Sequence, residues 1–85
     1  MKPIFPYEYR LTKEQAATAA NIVELQFPDS PEGKLMFAIV RQAITDLPKA
    51  ECLAAADFLN SEMWCCEICG VESEWVRRVV KECRK

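Results

Sequence analysis

The sequence predicts a single all-α domain of about five helices, and three observations predict it. Turn signals recur at helical intervals: Thr12, then Phe27-Pro28-Asp29-Ser30-Pro31, Pro48, Asn60-Ser61 and Gly70. The segments between them carry apolar residues at helical spacing. The chain has 85 residues, 51% of them apolar. A chain of this size buries about 60–65% of its unfolded surface, enough for one core and not for two. With a formal net charge of only −2, that apolar content also excludes disorder.

Each element follows in order. Residues 1–10 hold two prolines and two tyrosines with no period and are expected to form an extended arm that packs locally. Thr12-Lys13-Glu14-Gln15 is a capping box that opens the first helix. That helix runs on to Leu25 with Ala19, Ile22, Val23 and Gln26 marking one face, and it stops because Pro28 disfavours helix at Phe27. Ser30 caps the second helix, with Pro31 in its first turn. Its body, Leu35 to Val40 with Ala43, Ile44 and Leu47, is apolar nearly all round and is expected at the centre of the core. Pro48 breaks it. The third helix is expected from about Lys49 to Leu59, with Leu53, Ala55, Ala56 and Phe58 inward. Asn60-Ser61 supplies a cap for a short fourth helix, Glu62 to Cys69, which Gly70 ends; a fifth runs from about Ser73 to Glu82.

Composition narrows the function. The longest unbroken apolar run, Leu35 to Val40, is far short of the ~20 residues a spanning helix needs. Residues 1–7 lack the apolar stretch of a signal peptide, so no membrane partner and a cytoplasmic location are expected, in the host cytoplasm if the chain is viral. Five cysteines are an odd number and argue against a disulfide framework. Cys66-x-x-Cys69, preceded by Cys65, is the only CxxC; with no histidine and no second CxxC, Cys52 and Cys83 would have to converge on it to hold zinc. A redox CxxC belongs after a strand, at a helix N-terminus, and no strand is visible. These thiols are expected to pack as small hydrophobes, with no metal and no cofactor. No nucleophile–base pair, phosphate loop or glycine-rich segment can be named, so the chain is not expected to be an enzyme.

Residues 62–81 carry the one specific pattern. Two helices meeting at a tight turn need a small residue where they cross, a glycine at positive φ, and apolar residues pointing inward from both. Cys66 supplies the first and Gly70 the second; Cys65, Cys69, Val71, Val76 and Val79 supply the third. This constellation resembles the helix-turn-helix DNA-binding family over about a quarter of the chain. It also resembles, more loosely, small prophage-encoded helical proteins. The first resemblance implies that Ser73 to Lys81 is a recognition helix for the major groove of double-stranded DNA. Glu72, Ser73, Glu74, Arg77, Arg78 and Lys81 then face outward, with Arg77 or Arg78 toward guanine edges and Lys81, Arg84 and Lys85 toward phosphates. Residues 74–85 carry five basic and two acidic side chains, so positive charge collects in this last helix.

Glu72 and Glu74 stand where a DNA reader approaches bases or phosphates, and near a phosphate they repel. Acidic residues at a helix N-terminus and basic ones at its C-terminus also follow from the helix dipole alone. Two readings result. The first is a bacterial or phage DNA-binding transcriptional regulator acting as a homodimer, in which replacing Arg77 and Arg78 abolishes binding with little loss of stability. The second is a small acidic adaptor or inhibitor that binds a protein through its helical surface and uses the motif only as a corner. Trp64 and Trp75 are expected in or beside the core, with partner anchoring as their other role.

Overall fold

The structure, a computed structural model, describes residues 5–61 and 63–84. Five α-helices follow a single 3-10 turn at Tyr7–Tyr9: α1 (Lys13–Glu24), α2 (Pro31–Asp46), α3 (Leu53–Asn60), α4 (Trp64–Cys69) and α5 (Ser73–Cys83). The capping chemistry read from the sequence forms at two helix starts. The Thr12 hydroxyl accepts from the Gln15 amide at 3.1 Å, and the Gln15 side chain accepts from the Thr12 amide at 2.9 Å. At α2 the Ser30 hydroxyl accepts from the Gly33 amide at 3.0 Å, with Pro31 in the first turn. Each such cap contributes about 1 kcal/mol.

Packing centres on α2, which lies against α1, α3 and α4, while α5 packs chiefly on α1. The α2 helix is the hub without being enclosed. Phe37, Val40, Ala43 and Ile44 are buried, but Leu35 is 60% exposed and Ala38 faces water. The expectation of a helix buried all round is corrected: α2 is amphipathic, because three neighbours cover one side only. On α1 the buried stripe is Ala16, Ala19, Ala20 and Val23, whose small side chains let α2 and α5 approach closely. Ile22 and Gln26, expected on that face, lie off the stripe and are exposed.

Three further elements differ from expectation. Residues 5–10 are not an extended arm: the chain turns at Tyr7–Tyr9, buries Phe5 and Tyr9, and rests on α5. Residues 1–4 of the expected arm lie outside the described residues. The third helix begins at Leu53, not Lys49, since the reversal after α2 puts Ala50 and Glu51 at φ 49° and 50°. That left-handed conformation cannot belong to a right-handed helix, and it costs roughly 1–2 kcal/mol per residue without glycine. Arg10 reaches across to Glu51 at 3.5 Å. Finally, Asn60 and Ser61 do not cap α4. The Ser61 hydroxyl donates back to the Phe58 carbonyl, and Asn60 Oδ1 accepts from the buried Tyr9 hydroxyl at 2.7 Å. The cap position of α4 is Met63, without a side-chain hydrogen bond; the expected start at Glu62 lies outside the described residues.

Among the described residues no helix is long and apolar enough to cross a membrane.

Candidate functional site

The corner between α4 and α5 is built by Gly70. Its φ of 74° and ψ of 20° end α4 in the left-handed conformation, with the Gly70 amide donating to the Glu67 carbonyl at 3.1 Å and the Val71 amide to Cys66 at 2.8 Å. A Cβ at Gly70 would meet nothing within 4 Å, so the demand for glycine there is conformational. Cys65, Cys66, Val71, Val76 and Val79 are buried and Cys69 is half-buried. The two helices lean mainly on other partners, α4 on α2 and α5 on α1.

The thiols pack as hydrophobes. Cys66 is fully buried, and burial is the main reason its thiol rises from an ordinary value of 9.0 to about 11; the neighbouring Cys65 and Cys69 sulfurs add to the rise, and the Ser73 hydroxyl and Arg77 oppose it. Burial raises the Cys65 thiol as well. Cys66 and Cys69 both lie inside α4. Among the described residues no three cysteine or carboxylate side chains are arranged to hold a metal ion. The raised thiol has a consequence for stability. Below pH 9 the Cys66 thiol is protonated in both states, and between pH 9 and 11 only the unfolded chain releases its proton. Stability should therefore fall as the pH rises through that window. Raised Tyr9 and Cys65 act in the same direction. Urea unfolding as a function of pH should show the loss, and Cys66→Ala should make it shallower.

The residues expected to touch DNA divide into three groups. Ser73 is half-buried beside Cys66, whose thiol its hydroxyl makes more acidic. Arg77 is half-buried, and its guanidinium donates to the carbonyls of Leu59 at 3.0 Å and Ser61 at 3.1 Å, closing the C-terminus of α3. Arg84 stacks on the Tyr7 ring at 3.8 Å, while its carbonyl accepts from the Gln15 side chain at 2.9 Å. Only Arg78 and Lys81 stand exposed on the outer side of α5, Lys81 with its ammonium 5.9 Å from the Tyr9 ring centroid. Lys85 lies outside the described residues.

An exposed tryptophan lies on α4. Trp75 is half-buried against the core, but Trp64 leaves 50% of its surface in water and Ile68 leaves 62%. At i and i+4 they share one face, with Glu67 beside them. The opposite face, Cys65, Cys66 and Cys69, is turned inward. Beyond the ridge a shallow, open cleft is lined by Glu67, Gly70, Val71, Glu72, Ser73, Glu74 and Arg77. Among the described residues none of its three carboxylates is in an ion pair. Sequence reasoning treated Trp64 singly and passed over Ile68. The signal was present in the spacing, since 64 and 68 fall opposite 65, 66 and 69 on a helix.

Compared with known proteins, the chain matches no protein-family model, no curated protein and no solved structure.

Proposed function

We propose that this chain is a small protein-binding module, an adaptor or inhibitor, that engages its partner through α4 and the turn after it. The observation that carries this reading is the pair Trp64 and Ile68, held on one face of a helix whose other face is locked into the core. Aromatic anchors dominate protein interfaces, and truncating one typically costs 2 kcal/mol or more, about a thirtyfold loss. Backing from the core fixes the ridge before binding, which lowers the entropic cost of association. Its five thiols are unpaired, which suits a reducing cytoplasm.

The test compares wild type with Trp64→Ser/Ile68→Ser as immobilised baits in nuclease-treated lysate of the native cells. A stoichiometric partner held by wild type and lost by the variant supports the reading, provided both melt alike. A partner held equally by both overturns it.

A second reading, the dimeric DNA-binding regulator, rests on Arg78 and Lys81, exposed on the outer side of α5 beyond a glycine corner. It expects a labelled mixed-sequence duplex to bind with steep salt dependence, and Arg78→Ala/Lys81→Ala to lose that binding. Glu67, Glu72 and Glu74 beside the same corner weigh against an approach by phosphates.

A further inference from the structure

We infer that the partner seated on α4 is a cationic amphipathic helix, an inference that rests on the protein-binding reading above. Two observations choose this occupant. The first concerns the backbone. Every described regular element is helical. Among the described residues there is therefore no strand edge to which an extended peptide could add through main-chain hydrogen bonds. A segment lying across Trp64 and Ile68 gains no ladder of main-chain hydrogen bonds there, and a helix brings its amides and carbonyls already paired. Its apolar stripe would cover the Trp64–Ile68 ridge.

The second observation is charge. The ridge carries Glu67, and the cleft beside it adds Glu72 and Glu74. The one cation lining that cleft, Arg77, donates two hydrogen bonds, to the Leu59 carbonyl in α3 at 3.0 Å and to the Ser61 carbonyl just after it at 3.1 Å. Three carboxylates against that one guanidinium, which keeps its charge, leave the lining net negative toward whatever flanks the apolar stripe. Lysines or arginines on that flank would be steered in and kept in register, whereas an acidic helix of the same apolar content would be repelled. Phosphate-bearing ligands are disfavoured for the same reason.

The test uses two synthetic helical peptides, each about four turns long, with the same leucine stripe. One has lysine on its polar face and the other glutamate. Each is titrated into the isotopically labelled full-length chain and followed by amide chemical shifts. The lysine peptide is expected to shift the amides of residues 64–74 and to bind roughly tenfold or more tightly than the glutamate peptide, with the difference shrinking at high salt. Glu67→Gln/Glu72→Gln/Glu74→Gln should remove most of that preference while the fold, read by circular dichroism, is retained. The inference is overturned if both peptides bind alike, if the preference survives the triple variant, or if the shifts map elsewhere. Trp64→Ser/Ile68→Ser separates the two levels. If it abolishes binding by both peptides when charge makes no difference, the docking ridge stands and the cationic partner falls. If neither peptide shifts residues 64–74 of wild type, both fall.

Discussion

Gly33→Ala is expected to lower the melting temperature by roughly 10–25 °C, a loss of about 2–4 kcal/mol for a domain of this size. Gly33 is buried in the first turn of α2, where the chain has just come through Phe27-Pro28-Asp29-Ser30. A Cβ there would sit well inside van der Waals contact of the Pro28 carbonyl oxygen and 2.9 Å from its carbonyl carbon. Backbone is the obstacle, so no side-chain rotation relieves it. To make room the turn must move away from α2, which pulls the Ser30 hydroxyl from the Gly33 amide and separates the Phe27 and Phe37 rings, now 5.4 Å apart. Gly70→Ala is the matched control. It meets no atom and is strained only by its positive φ, so it should cost about 1 kcal/mol. Thermal melts of both variants check the account. A Gly33→Ala protein that melts within a few degrees of wild type would contradict it.

The second large effect separates two adjacent arginines. Arg77→Ala should destabilise the chain by about 1.5–3 kcal/mol, because its guanidinium holds the Leu59 and Ser61 carbonyls at the end of α3. Those carbonyls then lose a charged partner at a helix C-terminus, where cations are favourable. Arg78→Ala, exposed one residue along, should change stability by less than about 0.5 kcal/mol. The sequence-based expectation that both arginines can be removed with little loss of stability is thereby replaced. Only Arg78 and Lys81 offer a clean test of DNA contact. Chemical denaturation of the two single variants measures the difference, and equal midpoints would remove Arg77 from its structural role.

What the sequence made legible was local chemistry. Thr12 with Gln15, Ser30 with Gly33, and Gly70 at the end of α4 each depend on residues within a few positions, so the motif and the geometry coincide. The inward cysteines and valines of the corner were legible from helical spacing as well. What failed depended on contacts distant in sequence. Tyr9 claims Asn60 across 51 positions, and Arg77 claims Leu59 across 18, so neither Asn60 nor Arg77 does what its local context suggests. The start of α3 was misplaced because Ala50 and Glu51 adopt a left-handed conformation that their side chains do not announce. Apolar patterning also could not say how many neighbours a helix has. Leu35 and Ile22 look like core residues and face water because α2 and α1 are covered on one side only.

In the proposed reading the ridge on α4, and not the outer side of α5, meets the partner. Position-specific photo-crosslinking tests it most directly, with a photoreactive amino acid replacing either Ile68 or Arg78 in the full chain inside its native cells. Both positions are exposed, so neither replacement disturbs the core. A discrete, nuclease-resistant protein adduct is expected from position 68, suppressed by Trp64→Ser, with no comparable adduct from position 78. Nucleic acid captured from position 78, with position 68 silent, would contradict it.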